Sequence, residues 1–214
     1  MNEYLAPTAY IDSDHPEVVR FSQEHASGAT ERARAVALYY AVRDNIRYNP
    51  FLDFTDLEVF RASAVLMSQQ GFCIGKAALL AACARAAGIA ARVGFADVKN
   101  HLTSPRLAET MGSDLFVYHG YTEFLLGSRW VKATPAFNLA LCMRFRVKPL
   151  EFDGRKDSIF HPFDEDERRH MEYLRDRGSH ADVPVAEIQS AFREAYPRYF
   201  SLGRDALKET FAPG

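Results

Sequence analysis

Two residues in this chain have the types and placement needed for nucleophilic acyl transfer. Cys73 follows Gly71-Phe72 and precedes a run rich in Ala and Leu, strong helix formers, that lasts until Gly88. The run predicts a helix with Cys73 at its mouth. The positive end of a helix dipole favours thiolate, so a lowered thiol pKa is expected there. Thiolate is the form in which cysteine attacks a carbonyl carbon. His119, flanked by Tyr118 and by Gly120-Tyr121, falls inside a predicted strand. An imidazole in an apolar strand needs a hydrogen-bond partner or an edge position. Gly120 predicts that something approaches the backbone closely there. Together the two residues suit a Cys–His pair: the thiolate attacks, the imidazolium protonates the leaving group, and N–H groups at the helix start hold the oxyanion. Taken singly, each has a plainer reading, a buried small hydrophobe for the cysteine and a structural histidine for the other. Cys83, mid-helix between alanines, is assigned to the core.

The elements that must position this pair read as helices first and a small antiparallel sheet afterwards, an α+β order. Pro16 opens a short helix that Ser27-Gly28 breaks, and Thr30 caps a helix over about 31–47. Thr55-Asp56-Leu57-Glu58 has capping-box spacing, and Ser63 is placed to cap a turn over Ala64–Gln69. After Gly88, Ala91–Val98 reads as a strand, Asn100–Gly112 as a loop or lid, and Leu115–Leu126 with Arg129–Ala133 as a hairpin around Gly127-Ser128. Leu141–Pro149 is a candidate fourth strand. The tail from Glu151 carries charged helical patterns over about 164–176 and 184–195. The expected division is a core over 1–150 and a C-terminal extension over 151–214, loop plus helices, packing on the same domain.

The segment GFCIGKAALLAACARAAGIAARV resembles the nucleophile helix of the transglutaminase-like superfamily, with Gly71, Cys73, Arg85, Gly88, Ile89, Ala91 and Arg92 in place. HGYTEFLLGSRWVKATP resembles its second motif through His119, Glu123, Gly127, Trp130 and Val131, and the helix ending in Ile46-Arg47-Tyr48 resembles its lead helix. The resemblance covers about residues 29–140 and is to the bacterial, single-domain kind of member. It implies a papain-like core in which the nucleophile helix packs on a small antiparallel sheet, and acyl transfer at amide bonds. It implies Cys73 as nucleophile and His119 as base. Thr134 stands where the superfamily usually has an Asp that orients the histidine. A threonine hydroxyl can accept from the ring N–H but carries no charge, and a Cys–His pair tolerates a neutral orienter. Three readings stay open: Thr134 orients His119; Asn138, Asp153 or Asp157 does so instead; or catalysis is impaired and the fold serves as a binding or scaffold module.

Other residues take plainer roles. Arg85 and Arg92 are expected in ion pairing and turn support, and Glu123, on the His119 face, against a basic residue. Trp130 is expected to pack under the site and Tyr48 to join the core. Phe72 and Ile74 make an apolar rim that hints at a hydrophobic substrate contact. Phe152–Asp157 with Phe160-His161-Pro162-Phe163 is either a cleft cap or an ordinary surface loop, and Arg168-Arg169-His170 a solvated face.

Composition bounds the rest. The chain of 214 residues, 48% hydrophobic and 25% charged, suits one domain, or one domain with an appended terminal segment. A net charge of −2 makes no electrostatic case for nucleic acid or an anionic membrane. Three scattered cysteines with no CxxC give neither a disulfide framework nor a zinc site, and seven histidines contain no HExxH, so no metal or cofactor is expected. The opening residues lack a basic segment followed by an apolar run, and cytoplasm is the expected compartment. The expected partner is a peptide, protein or small amide substrate.

Overall fold

The structure, a computed structural model, describes residues 3–100, 105–159 and 171–201. Its helices begin where the local chemistry dictates. Helix α1 (Pro16–His25) opens on a proline, and in α2 (Glu31–Asn45) the Thr30 hydroxyl accepts the Ala33 N–H at 3.1 Å. A two-residue strand β1 (Arg47–Tyr48) follows, then a 3-10 turn (Leu57–Phe60) capped by Asp56, helix α3 (Ala62–Ser68) and strand β2 (Gln70–Gly71), parallel to β1. Helix α4 (Cys73–Ala86) comes next and is buried from Ile74 to Arg85. A helix apolar all round must be enclosed on every side. Here α1, α2 and α3 cover one flank, and β3 (Ala91–Asn100) and β4 (Leu115–Leu126) cover the other.

The main sheet has the order β5-β4-β3-β6, with β5 (Arg129–Ala133) and β6 (Met171–His180) at its edges and every pairing antiparallel. One face carries Val93, Phe95, Phe124 and Val131 into the main core against α4. On that face the Thr122 hydroxyl donates to the Ala77 carbonyl of α4 at 2.8 Å. The other face holds a smaller cluster of Ala96, Val98 and Tyr121, with Phe116 and Ile159 against it. Phe152 returns to the main core and packs on Tyr39 and Phe124.

Several expectations need correction. Leu141–Pro149 is not a strand: helix α6 (Leu139–Phe145) occupies it, and Asp44 of α2 accepts the Leu139 N–H at 2.9 Å to cap it. A short apolar run is ambiguous by period, and here a cap supplied from another element decides it. Helix α3 starts before Ser63, whose N–H goes instead to Asp12 at 3.0 Å. The loop or lid expected over Asn100–Gly112 contains helix α5 (Pro105–Met111), and residues 101–104 lie outside the described residues. The charged pattern over 164–176 is not a helix in its second half, because 171–176 belong to β6. The open edge of β3 offers a ladder that overrides the local charge pattern. Residues 164–170, like Phe160-His161-Pro162-Phe163 and Arg168-Arg169-His170, lie outside the described residues. The second tail helix is present as α7 (Val185–Ala195), followed by α8 (Pro197–Ser201). Among the described residues no helix is long and apolar enough to cross a membrane.

Candidate active site

Cys73 is the first residue of α4, and no side chain caps that helix end. Its first N–H groups are therefore not spent on a side-chain acceptor. The residue is half-buried, whereas Cys83 and Cys142 are buried; all three are free thiols. Burial pushes the Cys73 thiol up to about 11, against the pull of the backbone N–H groups of Gly120, Ile74 and Cys73 itself. The helix end acts in the expected direction, but desolvation outweighs it, so the lowered thiol pKa expected from position alone does not hold.

The involvement of Gly120 fixes where the sulfur lies: against the β4 backbone, one residue from His119. A Cβ on Gly120 would stand 2.9 Å from the Ile74 Cα and 3.2 Å from its N. Only glycine admits α4 this close, which is the close approach its place in the strand predicted. His119 is 5% exposed with its Nδ1 buried, and it pairs with Ala96 of β3. Strand alternation puts it on the face of Tyr121 and Glu123, while Gly120 faces α4. The last β4–β5 pair is Thr122↔Ala133, so Gly120 and His119 run past the end of β5.

Thr134 follows directly after β5 and is 3% exposed. Alternation places it on the His119 face. Its hydroxyl donates to the Ile159 carbonyl and its N–H to the Ser158 carbonyl, both at 2.8 Å. The hydroxyl oxygen keeps acceptor capacity for a ring N–H. The other candidate orienters are engaged elsewhere. The Asn138 Oδ1 accepts the Tyr48 N–H at 3.3 Å, Asp153 accepts the N–H groups of Arg155 and Lys156, and Asp157 accepts the Lys132 N–H at 3.0 Å. Both carboxylates are exposed.

Around the sulfur stand two tyrosines. Burial, then the neighbouring Cys73, pushes the Tyr48 hydroxyl well above its ordinary value. Tyr48 packs on Phe137 with ring centroids 4.9 Å apart and against the main core. Tyr196 is raised by burial, against the pull of the Val117 N–H, and it also feels Cys73. Nothing in the local sequence marks Tyr196, because it follows α7, far along the chain.

Lys76, one helical turn after Cys73, is fully buried and donates to the carbonyls of Arg43 and Ile46 at 2.9 and 2.5 Å. It thereby satisfies the C-terminal end of α2. Burial lowers its ammonium to about 7, with Asp44 opposing. Arg85 supports its turn as expected, through the carbonyls of Ala91, Ala6 and Ala181. Glu123 pairs with Arg92 and, at 3.8 Å, with Lys132. Trp130 is not under the site: it pairs with Leu125 at the far end of the hairpin and stacks under Arg92, whose guanidinium lies 4.1 Å from its ring. A pocket of about 350 Å³ opens between α1, α2 and α3, and neither Cys73 nor His119 lines it. Among the described residues no cluster of three metal-ligating side chains occurs.

A thiol at the mouth of a central helix, laid against an antiparallel sheet that carries a histidine, defines an α+β fold of the papain-like kind. The family model of the transglutaminase-like superfamily matches residues 19–135, and the chain belongs to that superfamily. The matched segment contains Cys73, His119 and Thr134. Membership supports a cysteine-dependent acyl-transfer or protease-like function in general terms. Among solved structures, the chain is similar to one described as a "Putative Cysteine Protease from Cytophaga hutchinsonii". That match has 15% identity and a TM-score of 0.48, and covers 83% of this chain and 53% of that one. It is also similar to a TGase at 19% identity and a TM-score of 0.38, covering 59% of this chain and 31% of that one. The chain thus spans about half the length of the first and a third of the second. No curated protein matches it.

Proposed function

We propose that this chain is a cysteine acyl-transfer enzyme that cleaves an amide bond through a thioester on Cys73, with His119 as base and Thr134 as its neutral orienter. The observation that carries the reading is the position of the Cys73 sulfur: at an uncapped helix end and beside the N–H of Gly120, the residue after His119. A thiol at about 11 is ionised to only about one part in 10⁴ at pH 7. It needs a base to take its proton, and His119, next to Gly120 in β4, is the residue assigned that part. The reading requires the imidazole to meet the sulfur past the β4 edge left open where β5 ends.

In the reaction the thiol proton passes to the imidazole as the sulfur–carbon bond forms. The carbonyl oxygen takes the negative charge at the α4 N–H groups. The carbon–nitrogen bond then breaks, and the imidazolium gives its proton to the departing amine. Water, activated by the same imidazole, attacks the thioester, releases the acid and returns the proton to the thiolate. Hydrolysis is the reading taken; an amine in place of water would make the chain a transglutaminase. The substrate class is a peptide, a protein or a small amide; Phe72 and Ile74, expected as an apolar rim, are buried in the main core and do not form one.

A second reading has its own support. Thr134 in place of a carboxylate, and a thiol raised rather than lowered, both suit a binding or scaffold protein that keeps the fold. Iodoacetamide labelling separates the two. For an enzyme, Cys73 labels quickly at pH 7, His119→Ala slows it by about 100-fold or more, the order of a lost general base, and the gap closes as pH rises. Equal rates in wild type and His119→Ala at pH 7 refute the pairing. Capture of the acyl group by hydroxylamine or a primary amine during turnover then divides hydrolase from transferase.

A further inference from the structure

β4 reaches His119 through a bulge. Ala96 pairs with His119 and Val98 with Phe116, so Val117 and Tyr118 stand together against Asp97 alone. The β3–β6 register shifts at the same place, on both sides of Asp97. Tyr118, directly before His119, has φ +55°. That left-handed conformation costs a non-glycine residue about 1 kcal/mol and persists only where its surroundings impose it.

The structure shows what imposes it. The Tyr118 N–H donates to Asp97 Oδ1 at 3.1 Å, and the Val117 N–H donates to the Tyr196 hydroxyl at 2.7 Å. Two consecutive strand N–H groups are thus held by side chains. Asp97 is 6% exposed and is gripped in fork geometry by Arg177 of β6, Nε to Oδ1 at 2.9 Å and the terminal nitrogen to Oδ2 at 2.8 Å. The same guanidinium lies 4.8 Å over the Tyr118 ring. One arginine therefore clamps both the carboxylate and the residue whose N–H that carboxylate holds. Arg177 and Tyr196 lie beyond residue 135, where the family match ends.

We propose that Asp97, Arg177 and Tyr196 are positioning residues for His119: they lock the bulge at Val117-Tyr118 and so set the direction from which the imidazole leaves β4. The inference rests on His119 acting as the base of Cys73. It assigns the C-terminal segment a part in the site, as the brace on the strand that bears the histidine. Lysine in place of Arg177 keeps the charge and loses the fork and the stacked plane. Asparagine in place of Asp97 presents either its donor to Arg177 or its donor to the Tyr118 N–H.

The test measures Cys73 alkylation at pH 7 in Asp97→Asn, Arg177→Lys, Tyr196→Phe and His119→Ala, and the His119 ring resonances by NMR in wild type and the first three variants, with thermal unfolding as the check on folding. Tyr196→Phe removes a single oxygen, the smallest change of the three, and leaves the Val117 N–H without that acceptor. The expected result is a shifted His119 resonance and a 10- to 100-fold slower alkylation in the three positioning variants. Melting temperatures alone fall if the cluster is merely structural. Folded variants with wild-type alkylation and an unmoved ring resonance, beside a slow His119→Ala, overturn the inference and leave the proposed function standing. If His119→Ala alkylates like wild type, the proposed function fails, and the ring resonance still decides the positioning.

Discussion

Replacing Gly120 by alanine tests how closely α4 must approach β4. The new Cβ would stand 2.9 Å from the Ile74 Cα, 3.2 Å from its N and 3.3 Å from its Cγ1. Carbon atoms pack at about 3.5–4.0 Å, so the helix mouth must retreat by about 0.6 Å or more. Two of the three atoms are backbone, so rotating a side chain gives no relief. Overpacking of this kind costs about 1–3 kcal/mol, which lowers the melting temperature of a chain this size by about 2–12 °C. The retreat also carries Cys73 away from the Gly120 N–H and from His119. Misplacement on the order of 1 Å costs about 100-fold in a positioned reaction, and Cys73 alkylation at pH 7 should fall by at least 10-fold. Gly127→Ala is the control: its Cβ meets nothing within 4 Å, but its φ of +67° makes alanine unfavourable by about 1–2 kcal/mol at the far end of the hairpin. The two variants should lose similar stability, and only Gly120→Ala should lose alkylation. A Gly120→Ala protein with wild-type melting and wild-type alkylation refutes the claim that this contact sets the sulfur's place.

Other outcomes follow from the same geometry. Lys76 is lowered to about 7 in the folded chain by burial, while the unfolded chain keeps its proton up to about 10.5. The native state therefore bears the full cost of the buried ammonium below pH 7, and stability through this group rises between about pH 7 and 10. The rise is at most about 1.4 kcal/mol per pH unit. Lys76→Met should remove it while leaving the Arg43 and Ile46 carbonyls without their donor; parallel stability–pH curves for the two proteins count against it. Thr134→Ala should cost about 1 kcal/mol through the lost donation to Ile159. Thr134→Asp should cost more than Thr134→Ala, because an ionised carboxylate cannot donate to that carbonyl and is 97% enclosed if it takes the threonine's place. A Thr134→Asp chain that melts above wild type, by calorimetry at pH 7, contradicts this.

The central helix, the long hairpin and the cysteine at the helix mouth were legible in the sequence because each rests on neighbours in the chain. Ala and Leu favour helix up to Gly88, β-branched and aromatic residues are dense through Leu115–Leu126, and Gly127 makes the turn. Gly120 was legible as a close approach, though not as an approach to Ile74. What failed locally was decided by partners distant in sequence. Asp44 caps α6 and Asp12 receives the N–H of Ser63, so capping signals read from adjacent residues pointed elsewhere. β6 exists because β3 has an edge to pair, whatever helical pattern its charges make.

By itself the sequence determined which residue types are available for chemistry and which helix and strand carry them, since propensity and patterning act over a few residues. Tertiary structure alone decided the state of the thiol, because burial is a property of the surrounding fold and here exceeds the helix-end effect. It also decided what holds the histidine's strand. Asp97 comes from β3, Arg177 from β6 and Tyr196 from the junction after α7, and only packing brings their oxygens and nitrogens within hydrogen-bonding reach of one bulge.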